Sequence, residues 1–147
     1  MVKTLCRITG MLTLALLATQ GLRAQEPVLA NIPFAFTAGK MALPAGEYRI
    51  GKLATGTDSL LLIQRTDYSA SMIVIANAKE ANKEQDHSKL IFRRHGNRYF
   101  LSQVWVAGHS RGRELPPSAQ EKEEAPLARN DKPEEVTIVA RLISPKP

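Results

Sequence analysis

KLIFRRHGNRYFLSQVW, residues 89–105, is the stretch on which the fold turns. Gly96 and Asn97 fit the two central positions of a type II′ turn, whose backbone twist suits a two-residue β-hairpin. That turn fixes the register, with His95 opposite Arg98 and Arg93 opposite Phe100. Side chains alternate across a strand, so Leu90, Phe92, Tyr99, Leu101 and Trp105 are expected on one face, toward a core. Arg93, His95, Arg98 and Phe100 are expected on the other.

Outward from this hairpin, short runs rich in Val, Ile, Leu, Phe and Tyr recur between Gly, Pro, Asn and charge clusters. This is the pattern of an antiparallel all-β domain. Seven strands are predicted, over about residues 28–37, 47–53, 60–66, 70–78, 89–95, 98–107 and 136–143. The expected architecture is an antiparallel sandwich or a flattened, partly open barrel with one short helix. In the first run Ile32, Phe34 and Phe36 share a face, while Pro33 cannot donate a ladder hydrogen bond and points to an edge or a bulge. Leu43-Pro44-Ala45-Gly46 reads as a type I turn that feeds a strand with Tyr48 and Ile50 inward. Met72, Ile73, Val74 and Ile75 are apolar on both faces, which predicts an interior strand. Past Pro116 and Pro117, Ser118-Ala119-Gln120-Glu121 is a capping-box pattern that opens a short helix over about 118–125, stopped by Pro126. The acidic stretches 121–124 and 130–135 are expected to be solvated, and the tail at 144–147 to fray.

The first residues carry Lys3 and Arg7 without an acid, residues 11–18 are almost wholly apolar, and Leu22-Arg23-Ala24 ends in a small residue. That is the pattern of a signal peptide, residues 1–24, followed by a single mature β domain, residues 25–147. The apolar run is shorter than the roughly 18 to 20 residues that span a bilayer, so no transmembrane segment is expected after cleavage. Loss of Lys3, Arg7 and Arg23, three of the 20 basic residues set against 14 acidic ones, lowers the formal charge from +6 to +3. Such a mildly basic, exported domain is a poor candidate for nucleic-acid binding. Cys6 is lost with the leader, so the mature domain is expected to lack disulfides, which suits a bacterial envelope, periplasmic or extracellular.

Four segments carry a resemblance: Asn31-Ile32-Pro33-Phe34-Ala35-Phe36, Leu43-Pro44-Ala45-Gly46-Glu47-Tyr48, Arg98 to Trp105, and Gly112-Arg113-Glu114-Leu115-Pro116. In these the chain resembles a family of small exported bacterial proteins of unknown function. The resemblance implies a shared β domain and export, and it brings no catalytic residue or ligand with it. Pro117 and Pro126 shorten the helix that usually follows the last segment.

The histidines offer neither a His-x-His pair on one strand face nor an i, i+4 pair with a helical acid, so no metal site and no cofactor are expected. Asp86-His87-Ser88 holds the residue types of a nucleophilic triad, but sequence neighbours on a loop do not build its relay. Glu47 and Glu114 supply a carboxylate pair of the kind glycoside hydrolysis uses, though a domain with this many acids offers such a pair by chance. Arg93, His95, Arg98, Arg111 and Arg113 form the more suggestive group, because arginine pairs bidentately with carboxylate and phosphate. If the Gly-rich loop at 108–112 approaches the hairpin tip, they make an anion-binding surface for an acidic envelope ligand or protein partner. The reading is therefore a non-enzymatic binding module of the envelope. The alternatives are a secreted hydrolase and an assembly subunit that pairs through a sheet edge. The first expected outcome concerns the leader: the exported protein should begin at Gln25 by mass spectrometry, and an intact Met1 terminus on a cytoplasmic product would overturn the reading.

Overall fold

The structure is a computed structural model and describes residues 27–53, 59–124 and 132–143. The signal peptide assigned to residues 1–24, the helix stop at Pro126 and the tail at 144–147 lie outside those residues. The strands are β1 (Val28–Ile32), β2 (Phe36–Ala38), β3 (Met41–Leu43), β4 (Gly46–Lys52), β5 (Leu60–Arg65), β6 (Ser71–Ile75), β7 (Asn77–Glu80), β8 (Lys89–His95), β9 (Arg98–Trp105), β10 (Arg111–Glu114), β11 (Glu134–Val139) and β12 (Arg141–Leu142). Among the described residues there is one helix, α1 (Ala119–Glu124), which precedes β11.

The strands form an all-β sandwich. One sheet has the order β12-β1-β4-β5-β6; the other runs β11-β8-β9-β10-β7, with the β2–β3 hairpin attached to β9 beside β10. The pairing is antiparallel except for one parallel contact, Thr37 with Phe100. Several of the seven predicted runs are divided because the chain changes sheet within them. Pro33 stands between β1 and β2, Ala76 between β6 and β7, and Ala140 between β11 and β12. At such corners a strand leaves one ladder for the other, and a proline or a break in pairing marks the bend.

Apolar side chains from both sheets fill the space between them. Tyr48, Ile50, Ile63, Leu90, Phe92 and Leu101 are all essentially inaccessible. The Phe36 ring meets Tyr48 and Phe92 edge-on, with centroids 5.2 and 5.5 Å apart. At the hairpin end Phe34 stacks on Tyr99 at 3.8 Å, and the Arg94 guanidinium lies 5.5 Å from the Tyr99 ring. The bend at Pro44 is closed by side chains: the Tyr48 hydroxyl donates to the Pro44 carbonyl at 2.6 Å, and Arg65 Nη2 donates to that of Ala45 at 3.3 Å. Burial pushes the Tyr48 hydroxyl above its ordinary pKa, against the opposing pull of Arg65.

The hairpin keeps its expected turn and tip register. Gly96 takes φ +59°, His95 faces Arg98, and Arg93 faces Phe100. Farther from the tip the register shifts, because Phe92 pairs with Leu101 but Ile91 pairs with Gln103, leaving Ser102 as a bulge. The extra residue reverses the alternation of everything beyond it. Val104, level with Leu90, joins the core, and Trp105 falls on the outer face, contrary to the expectation that it shares the face of Phe92. Trp105 is buried there, its indole N–H donating to Gln103 Oε1 at 2.8 Å. Gly112 lies flat beneath the ring: a β-carbon at that position would stand 2.6 Å from the indole.

A second correction concerns residues 72–75. They belong to β6, which is an edge strand, and Ile73 and Ile75 are 52% and 66% exposed. Met72 and Val74 pack on the core, whereas Ile73 and Ile75 belong to the sheet's exposed outer face, so the run is apolar on both faces without being interior. Truncation separates the two aromatic sites. Phe92→Ala should cost about 3 to 5 kcal/mol in urea denaturation. Gly112→Ala should also lower the midpoint by driving a methyl group into the indole, and a midpoint equal to the parent's would contradict the outward placement of Trp105.

Candidate functional site

The outer face of the β8–β9 hairpin carries Arg93, His95 and Arg98, and helix α1 lies across it. Arg93 reaches Glu121 through two contacts, Nε to Oε1 at 2.5 Å and Nη2 to Oε2 at 3.0 Å. Its remaining capacity goes to Ser102 Oγ at 2.7 Å and the Leu115 carbonyl at 3.3 Å. His95 Nε2 lies 3.1 Å from the same Glu121 oxygen, and Arg98 pairs with Glu124 at 2.7 Å. The His95 ring also meets the buried Phe100 ring edge-on at 5.7 Å. As its motif predicts, Ser118 caps the helix, its hydroxyl accepting from the Glu121 N–H at 3.2 Å. Glu121 is only 4% exposed. The expectation that 121–124 is a solvated acidic run therefore fails at Glu121, whose carboxylate is the partner of the hairpin cations.

Arg111 and Arg113 belong to a different place. Arg113 pairs with Val104 across the ladder, and Val104 lies six positions along β9 from Arg98, about 20 Å at strand rise. The single surface expected from all five basic residues is not formed. The loop at 108–112 turns away from the hairpin tip and is tied instead to the segment before β8. There Gly108 N–H donates to Gln85 O, Gln85 N–H to His109 O, and Ala81 N–H to Ser110 O, at 2.8 to 3.0 Å.

At that end the two sheets part around a notch of about 40 Å³. Its apolar lining is Ile50 and Leu61 from one sheet with Val104 and Val106 from the other, and its basic lining is Lys52, His109, Arg111 and Arg113. Arg113, in β10, is 8% exposed, and Leu115, just past the end of that strand, is buried in the core. Arg111 pairs with Glu80 at 2.6 Å, and Lys52, Arg111 and Arg113 each make further interactions. A shallower depression of about 140 Å³ lies on the outer face of the five-stranded sheet, lined by Arg49, Lys52 and Gln64 among others. Gly51 and Lys52 contribute to both. The sequence reading missed Lys52 and His109. Period-two alternation from Ile50 places Lys52 on the inner face where β4 runs out of the core; His109 sits in a loop and carries no periodic signal.

The remaining candidates separate. Glu47 lies on the outer face of the five-stranded sheet, 3.8 Å from Arg141, and Glu114 on the outer face of the other, 3.3 Å from Lys79. With the sandwich between them they cannot flank one scissile bond. Ser88 is buried, its hydroxyl accepting from the Ala107 N–H at 2.9 Å, whereas Asp86 and His87 are exposed. Among the described residues no group of three or more His, Cys, Asp and Glu side chains could hold a metal ion, and no helix there is long and apolar enough to cross a membrane.

No family model matches the sequence, and searches of curated proteins and of solved structures found no match.

The cluster around Glu121 makes a clear mutational contrast. Removing one partner of a buried ion pair strands the other charge, so Glu121→Ala should destabilise by about 3 to 5 kcal/mol. Arg98→Ala, at an exposed pair, should cost about 0 to 1 kcal/mol. Urea midpoints of the two variants check this, and equal effects would contradict it.

Proposed function

We propose that this chain is a non-enzymatic binding module of the bacterial envelope that takes an anionic group in the basic notch at the open end of the sandwich. The observation that carries the reading is the convergence of Lys52, His109, Arg111 and Arg113 on an apolar-lined gap between the two sheets. Guanidinium and ammonium donors next to a low-dielectric lining favour a carboxylate or phosphate over water. The size of the gap suits one such group, with the body of the ligand lying across the rim. Export to the envelope is supported by the leader pattern of Lys3, Arg7, the apolar run at 11–18 and Leu22-Arg23-Ala24. The acidic partner is an envelope glycan, a phosphorylated lipid headgroup or an acidic protein segment.

Arg93, His95 and Arg98 have a different part in this reading. Arg93 and His95 lie against Glu121 and Arg98 against Glu124, so in this reading they hold α1 in place.

The test is binding of the protein to acidic glycan fractions and to vesicles containing an anionic phospholipid. Affinity should fall steeply with salt, as the Debye length shrinks from about 10 Å at 0.1 M to about 3 Å at 1 M. A double variant, Lys52→Ala with Arg111→Ala, should lose most of the binding while Arg98→Ala retains it. Binding that survives the double variant, or that ignores salt, would overturn the assignment.

A further inference from the structure

Each edge of a β-sandwich exposes unpaired backbone groups, and natural proteins blunt such edges with charge, proline, bulges or shortness. Most of the edges here are blunted. β12 and β3 are two and three residues long, β11 begins with Glu134 and Glu135, and β7 ends with Lys79 and Glu80. The exception is β6, Ser-Met-Ile-Val-Ile, which carries no charge, no proline and no bulge and pairs only with β5 among the described strands.

The phase of the β5–β6 ladder settles which groups of β6 point outward. Arg65 N–H donates to the Ala70 carbonyl and Ala76 N–H to the Ser59 carbonyl, each at 2.8 Å. Residues 70 and 76 thus face β5, and by alternation so do Met72 and Val74. The N–H and C=O groups of Ser71, Ile73 and Ile75 therefore point away from the sheet. The side chains of the last two are also the exposed ones, and they lie beside Leu62 and Leu60 on β5 to make one aliphatic strip on the outer face.

We infer that β6 is a homodimer interface, occupied by β6 of a second copy in antiparallel register about Ile73. The choice of occupant rests on self-complementarity. A two-fold axis through Ile73 sets Ile73 opposite Ile73 and Ser71 opposite Ile75, so every outward-facing residue meets one of the same hydrogen-bonding phase. An isologous contact requires the same patch to fit itself, and an uncharged strip does so without placing like charges together. The nearest strand cation is Arg65, level with Ala70 at one end of β6, so the two copies of Arg65 stand at opposite ends of the joint ladder. The dimer would extend the five-stranded sheet across the axis and bring the two aliphatic strips side by side on its outer face.

Sedimentation velocity of the protein over a micromolar to millimolar series tests this, together with amide hydrogen exchange at the two extremes. A mass twice that of the chain at high concentration is expected, with slowed exchange at Ser71, Ile73 and Ile75. Ile73→Lys should return the protein to monomer, and Tyr68→Lys, an exposed substitution in the turn before β6, should leave the dimer intact. If Ile73→Lys does not fold, the exchange of the parent protein still decides the matter. A monomer throughout the series, an open-ended assembly, or a dimer in which these amides stay as fast as in dilute solution would overturn the inference.

Discussion

One extra residue in one strand sets the arrangement of both faces of the larger sheet. Because Ser102 is inserted opposite the Ile91–Phe92 step, the alternation of β9 reverses at its middle. Tyr99 and Leu101 face the core before the bulge, and Val104 faces it afterwards. Trp105 is turned outward, and Arg113, paired with Val104, is turned inward toward the notch. The bulge residue is itself fully engaged. Its carbonyl accepts from the Leu115 N–H at 2.7 Å and its hydroxyl from Arg93. The same insertion that re-aims the strand thus supplies one bond to the chain leading into α1 and one to the arginine that holds Glu121.

Helix α1 shows what those bonds are for. At six residues it is too short to be stable alone. It has no apolar stripe to bury, and its buried residue is Glu121. The helix is therefore held to the sheet by charge. A carboxylate removed from water is costly unless its lone pairs are occupied, and here two arginine donors and a histidine nitrogen surround it. Among the described residues no buried side-chain polar atom lacks a partner. Such a pair contributes less to net stability than to position, since only one placement of the helix satisfies both the guanidinium and the carboxylate.

The legibility of the sequence follows the range of the interactions. The turn at Gly96-Asn97, the tip register and the Ser118 cap depend on residues within a few positions of one another, and all three could be read directly. So could the all-β class, which rests on the period of the apolar residues. Trp105 was misplaced because a bulge has no mark of its own here: Ser102 fits an uninterrupted strand as well as an insertion. The strip at 72–75 was misread because an aliphatic run on a solvent-facing edge has the same composition as an interior strand. Glu121 was misread because its partner lies 28 positions away, and one acid within an acidic run carries no sign that it alone is buried.

The basic residues show the same limit with a functional consequence. From the sequence, Arg93, His95, Arg98, Arg111 and Arg113 form one group, joined by proximity along the chain. In the fold they divide between the two ends of β9, and the ends differ in kind. At the hairpin end Arg93 and Arg98 pair with the acids of α1. At the other end Arg113 points into the gap between the sheets, and Lys52 arrives there from the opposite sheet by strand alternation alone. A shared strand therefore lies between two clusters whose basic side chains are both engaged within the molecule, Arg93 with Glu121 and Arg111 with Glu80. The inter-sheet gap, where the core ends and basic side chains begin, sets an apolar lining beside several nitrogen donors, and the proposed anion site rests on that juxtaposition.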